Sequence, residues 1–195
     1  MTEQVRAALP QPGTRMTTEE FLALPETLTH IELVDGIVVY PHGYPGEDTE
    51  MSPSPLYSHQ RTVRQAFKLI DVVGHGETLF APMDLVLPDG TTIQPDVMWI
   101  AEDNNRVRRD KRLHGVPDLV VEVFSPSTRK YDKVNKLRVY QRAGIAEYWM
   151  IDPADEFVEI CTLNDGEYTQ KAYVVGESFT SAVLNVVITV KDFFG

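Results

Sequence analysis

Two acidic residues stand where acidity is costly. The run from Leu119 to Phe124 reads LVVEVF and is interrupted only by Glu122; Asp96 lies between Pro95 and the apolar residues Val97, Met98, Trp99 and Ile100. An ionised carboxylate taken out of water is unfavourable by several kcal/mol unless hydrogen bonds or a cation compensate it. Each residue therefore needs an arginine or lysine, a water-filled cleft, or a metal ion. If the two strands are neighbours, both carboxylates converge on one point. Oxygen ligands of that kind suit a hard cation, Mg2+ (or Mn2+), which keeps its remaining positions for water and a substrate phosphate. Such an ion polarises a phosphoryl oxygen and acidifies a bound water, the chemistry of phosphodiester hydrolysis. Taken singly, each residue has a structural alternative: Asp96 caps a turn, and Glu122 pairs with an arginine or lysine.

A cation for that chemistry stands further along the chain. Asp132, Lys136 and Tyr140 recur at i, i+4 and i+8, so a helix carries them along one side. Lys136 can point back over the end of the Glu122 strand, where an ammonium orients a nucleophilic water or offsets developing charge. Its alternative is a surface pair with Asp132, which is weak at this spacing.

The elements that must position these residues read as an α/β domain. Thr17 with Glu20 has the capping-box spacing and starts a short helix before Pro25. IELV and IVVY, joined by Asp35-Gly36, predict an N-terminal hairpin over 31–40. Residues 41–55 are rich in Pro, Gly, Ser and acid, and read as a loop. Val63, Phe67 and Ile70 recur at helical spacing and predict a helix over about 58–73. Strands are expected around 78–87 and 92–100, with a Pro88-Asp89-Gly90 turn between them, and the charged stretch 101–115 reads as irregular. The 119–124 strand is followed by a helix over about 129–143, capped by SPST and closed by Gly144, then by a strand over 147–152. A C-terminal hairpin turns at Asn164-Asp165-Gly166, and the last residues form a short apolar strand or helix.

Bulk properties narrow the class. With 195 residues and 43% hydrophobic side chains, the chain can build one core of ordinary size. We expect a disordered leader over 1–15 and a single domain over 16–195. Cys161 is the only cysteine, which excludes an intrachain disulfide and fits a reducing compartment. The leader lacks the apolar stretch of a signal peptide, and no run approaches the roughly 20 apolar residues that span a bilayer, so a cytoplasmic location is expected. A net charge of −11 argues against indiscriminate nucleic-acid binding. Between Arg106 and Arg142, however, eleven basic residues face four acidic ones, leaving −18 elsewhere. Such polarity can present one basic face to phosphates; the alternative is a solvated helix and loop.

The strings QPDVMWIA and GVPDLVVEVFSPSTRKYDKVNKLRVYQRAGIAEYWMIDP, with the earlier IELVDGIVV, MSPSP and His59, resemble the Uma-two family of restriction-endonuclease-like proteins in the PD-(D/E)XK nuclease superfamily. The resemblance covers about residues 17–190. It implies a restriction-endonuclease-like core, a mixed central β-sheet flanked by helices, with Mg2+ held by Asp96 and Glu122. It also implies that Glu32 is the early glutamate that completes the site, and that His59, after the Ser-Pro loop, contacts phosphate. A helix-capping or surface role is the alternative for His59. Asp84 is a further acidic residue near the same strands and a third candidate metal ligand. The superfamily lysine would stand two residues after Glu122, where this chain has Phe124, so the role passes to Lys136, with Lys133 and Lys130 behind it. Arg129, Lys130, Lys133 and Tyr140 join His59 as expected nucleic-acid contacts. The loop 41–50 is longer and more acidic than the family pattern. The resulting expectation is a metal-dependent DNA endonuclease, with a homodimer that addresses both strands implied by the resemblance; the alternative is a nuclease fold that binds nucleic acid or a protein partner without cleaving.

Overall fold

The computed structural model describes residues 9–25, 29–45, 57–125 and 132–195. Helix α1 (Thr18–Leu22) begins with the expected reciprocal cap: the Thr17 side chain accepts from Glu20 N–H, and the Glu20 carboxylate accepts from Thr17 N–H at 2.7 Å. Strands β1 (Glu32–Val34) and β2 (Ile37–Val39) form the predicted hairpin. Asp35 and Gly36 turn it with positive φ of 52° and 72°, a pair of left-handed residues whose twist matches that of the strands. Residues 9–15, expected as part of a disordered leader, lie against this hairpin instead. Leu9 is buried, Tyr40 donates its hydroxyl to the Pro10 carbonyl at 2.6 Å, and Gly13 N–H donates to the Val38 carbonyl. Those backbone bonds and the burial of Leu9 offset the ordering entropy that composition alone could not show to be compensated. Residues 1–8 lie outside the described residues.

Helix α2 (Tyr57–Val73) runs as the periodicity predicts, burying Thr62, Ala66 and Ile70. The two strands expected next each divide. The first becomes β3 (Gly76–Phe80) and β4 (Leu85–Val86); the second becomes β5 (Thr92–Ile93) and β6 (Val97–Ala101). Pro95 has no N–H to give to a ladder, so the strand is interrupted there and the chain passes from one sheet to another. The segment expected to be irregular holds two short strands, β7 (Arg108–Arg109) and β8 (Leu113–His114). Strands β9 (Leu119–Val123), β10 (Glu147–Asp152), β11 (Phe157–Asn164) and β12 (Glu167–Val174) complete the set that matters for the site. Asp165 and Gly166, at φ 50° and 84°, turn β11 into β12 at the predicted place.

Among the described residues the strands form two six-stranded mixed sheets, β12-β11-β10-β9-β6-β3 and β2-β1-β5-β4-β8-β7, rather than one. In the first sheet β9 and β10 are parallel and joined through α3 (Leu137–Ala143); the other pairs are antiparallel. The turn leading into α3, Asp132–Lys136, is π-helical, and the expected helix start at Arg129 and residues 126–128 of the SPST cap fall outside the described residues. One face of the first sheet packs Val97, Val121 and Val123 against α2 and against a C-terminal hairpin, β13 (Ser178–Ser181) and β14 (Val186–Thr189). Its other face packs Met98, Val120 and Phe124 against Leu85 and Ile93 of the second sheet and Val139 and Tyr140 of α3. Arg142 ties α3 to two turns, 2.7 Å from Asp35 and 2.7 Å from Asp89.

A candidate active site at the end of two strands

Pairing of β6 with β9 sets Val97 against Val121 and Met98 against Val120. Carried one residue further, that antiparallel register puts Asp96 across from Glu122. Asp96 lies past the break at Pro95, and its side chain continues the ladder where the β6 backbone stops: Oδ2 accepts Val123 N–H at 2.8 Å. Glu122 lies on the face shared with Val120 and Phe124, as strand alternation requires, and is only 3% exposed.

Lys136, also 3% exposed, compensates it. Its Nζ is 2.8 Å from Glu122 Oε1 and 3.4 Å from Oε1 of Glu32, which is fully buried on β1. Lys136, expected to point over the strand end, thus has Glu122 as its partner. The π turn matters here, since such turns re-aim side chains within a helix and recur at functional sites. Tyr140 reaches the same oxygen, donating its hydroxyl to Glu122 Oε1 at 2.6 Å. Burial first, then the Glu122 charge, raises the Tyr140 phenol well above its ordinary range. The expectation that Tyr140 contacts nucleic acid is corrected: the ring is fully buried, and its hydroxyl is committed to Glu122.

Three of the chain's five histidines gather around these acids. His59, in the first turn of α2, places Nε2 3.4 Å from Asp96 Oδ2. Burial by itself raises Asp96, but the hydrogen bond and charge of His59, the Val123 N–H and Lys136 outweigh it and hold the carboxyl below its usual range. His30 places Nε2 3.1 Å from Glu32 Oε1, which also accepts Gln94 N–H at 3.2 Å. His42 packs against His30 with ring centroids 5.2 Å apart. Burial, then the charges of His30 and Lys136, push His42 down to about 4 against the opposing pull of Asp96 and Glu32, so it is neutral at pH 7.

The remaining expected residues are placed differently. Asp84 accepts from Arg112 Nε at 2.9 Å and from the Gln94 side chain at 2.8 Å, which makes it a salt-bridged neighbour of the site. Lys133 lies 3.1 Å from Glu159 and over the rings of Phe124 and Phe157, at 5.5 and 5.3 Å. Arg129 and Lys130 lie outside the described residues. The expected basic face of 106–142 is largely neutralised within the chain, because Arg106, Arg108, Arg109, Arg112 and Arg142 all make ion pairs. Sequence reasoning missed Gln94, His30 and His42. Gln94 has a local signal, its place beside Pro95-Asp96, whereas the two histidines lie far from Asp96 in sequence and only the fold brings them near.

Two hard carboxylates facing each other across a ladder fit an ion that takes one or two protein carboxylates and fills its remaining positions with water and phosphate. Asp96 Oδ1 makes no hydrogen bond among the described residues, which leaves it available as a donor. No group of three or more His, Cys, Asp or Glu that could hold a metal occurs among the described residues. The donor set thus fits a sparsely held Mg2+-like ion and does not fit an all-protein cage.

A solved structure described as a "putative nuclease belonging to DUF820", from Anabaena variabilis ATCC 29413, is similar to this chain. The TM-score is 0.71 at 18% identity, covering 92% of this chain and 97% of that one, a likeness of fold. The mixed α/β architecture is therefore that of a restriction-endonuclease-like fold, as the sequence led us to expect. No curated protein matches. The family model described as "Putative restriction endonuclease" matches residues 18–191, and this chain accordingly belongs to the Uma2 family.

Proposed function

We propose that this protein is a metal-dependent endonuclease that hydrolyses phosphodiester bonds of DNA, with Asp96 and Glu122 holding Mg2+ or Mn2+ and Lys136 assisting. The observation that carries the reading is the convergence of Lys136 and Tyr140 on one oxygen of Glu122, beside Asp96 on the adjoining strand. These two donors fix the Glu122 carboxylate in one orientation, as supporting groups do for metal-binding carboxylates. Val123 N–H and His59 fix Asp96 in the same way, and Glu32 holds Lys136 from its other side. When bound, the ion polarises the attacked phosphoryl group and acidifies a coordinated water. The Lys136 ammonium stabilises charge developing on the phosphate, and it stands in for the lysine that Phe124 replaces. A homodimer would present two such sites to opposite strands of a duplex. Among the described residues no helix is long and apolar enough to cross a membrane.

The test is nicking of supercoiled plasmid in Mg2+ or Mn2+, comparing wild type with Asp96→Ala and Glu122→Ala. Metal-dependent nicking by wild type alone is expected; equal activity in all three removes the assignment. A second reading, a nuclease fold that binds without cleaving, is favoured by Phe124 and by the Lys136 ammonium already placed at Glu122, with His59 at Asp96. Calorimetric titration with Mn2+ separates the two, because a degenerate site takes up no ion that depends on Asp96.

A further inference from the structure

Residues 94–96 carry the chain from one sheet to the other. Ile93 pairs with Leu85 in the second sheet and Val97 with Val121 in the first, so the crossing lies between the two ladders. Pro95 in its middle has no N–H to donate. Gln94 is anchored twice: its N–H donates to Glu32 Oε1 at 3.2 Å, and its side-chain Nε2 donates to Asp84 Oδ1 at 2.8 Å. On the far side of Pro95, the Asp96 carbonyl accepts Ala81 N–H at 3.1 Å. Asp84 is itself held, because its Oδ2 accepts Arg112 Nε at 2.9 Å and its backbone carbonyl accepts Leu113 N–H at 3.0 Å. A carboxylate bonded at both oxygens keeps one orientation, so Arg112 and Asp84 give the Gln94 amide a fixed point of attachment.

We propose that Gln94 is a positioning residue, through which the Asp84–Arg112 pair fixes Asp96 at the candidate site. The inference rests on the nuclease reading above for the role of Asp96. Only Pro95 stands between Gln94 and Asp96, and its ring locks φ, so a displacement of Gln94 passes to Asp96 instead of being absorbed in a flexible turn. The Asp96 carboxylate has to meet Val123 N–H, at 2.8 Å, and such a bond weakens steeply with misalignment. An amide suits the link, since it donates to Asp84 without bringing a charge that competes with Lys136 and His59 for the acids of the site. Asp84, expected as a metal ligand, thereby acts on the site at one remove.

The experiment follows amide hydrogen exchange residue by residue by NMR, in EDTA and without DNA. Val123 N–H reports on Asp96, and Phe124 N–H, the next amide of the strand, donates to the Ile151 carbonyl at 2.8 Å and serves as the control. Gln94→Ala raises the Val123 rate about 10-fold or more relative to that of Phe124, the scale of a lost bond to a charged acceptor. Gln94→Glu, which keeps the shape and loses the donor, does the same, as does Asp84→Ala. Gln94→Ala/Asp84→Ala goes no further than either single change, because the two residues act in one chain. In calorimetry Gln94→Ala weakens Mn2+ uptake about 10-fold. An unchanged Val123 rate, an equal rise at Phe124, or additive effects of the two substitutions overturns the proposal. A wild type that takes up no Mn2+ removes the nuclease reading, and the exchange rates still decide whether Gln94 positions Asp96.

Discussion

Replacing Lys136 by Met tests the buried cluster most directly. The substitution keeps the length and apolar stem of the side chain but removes the ammonium that the structure places between Glu122 and Glu32. Both carboxylates are essentially inaccessible to water, so neither can be rehydrated without moving the backbone of β1 or β9. Breaking a buried pair by deleting one partner costs about 3–5 kcal/mol. Tyr140 on Glu122 and Gln94 N–H on Glu32 are neutral donors that do not supply the lost charge, and His30, 3.1 Å from Glu32 Oε1, stands beside Glu32. For a chain of this size a loss of that magnitude lowers Tm by about 6–20 °C. Urea unfolding followed by Trp fluorescence measures it, with an unchanged m-value marking a stability effect rather than a change in the denatured state. The same variant probes the metal reading. With the internal cation gone, Mn2+ at about 100 times its Kd stabilises Lys136→Met by about 2.7 kcal/mol, more than it stabilises wild type, in which Lys136 already neutralises the carboxylates. A loss below about 1 kcal/mol, with no greater response to Mn2+, refutes the reasoning that Lys136 is the counter-ion of this site.

Tyr140→Phe removes a hydroxyl bonded to an ionised, buried acceptor at 2.6 Å, and a hydrogen bond to a charged group is worth about 1.5–3 kcal/mol. We expect that loss in urea unfolding, together with Mn2+ affinity weakened by about 10-fold or more through the freed Glu122 carboxylate. His42 gives a pH signature. Its folded value of about 4 lies below its ordinary 6.5, so between those limits the unfolded chain binds a proton that the folded one refuses. Stability therefore falls as the pH drops from 6.5 towards 4, and His42→Asn flattens that part of the stability profile measured by urea unfolding; an unaltered profile contradicts the placement.

The sequence by itself determined the hairpin turns, the long helix over about 58–73 and which acids stand among apolar residues. Asp-Gly and Asn-Asp-Gly fixed both hairpin turns because so few residues tolerate positive φ, and Glu122 was conspicuous because a carboxylate amid β-branched residues demands a partner. Period-two alternation placed Glu122 on its face, and helical spacing placed Lys136 and Tyr140 on one side. Tertiary structure alone decided the partners. Register set Asp96 opposite Glu122, and the break at Pro95 sent β5 and β6 to different sheets, a division that the single strand expected over 92–100 passes over. Burial turned Tyr140 from an expected surface contact into a donor to Glu122, and pairing with carboxylates distant in sequence took Arg109, Arg112 and Arg142 out of the basic face. Glu32, His30 and His42 come from the N-terminal hairpin and its flanks, at separations over which no local periodicity operates. Spacing reports which side of an element a residue occupies, while the charge that meets it depends on which other element the hydrophobic core brings alongside.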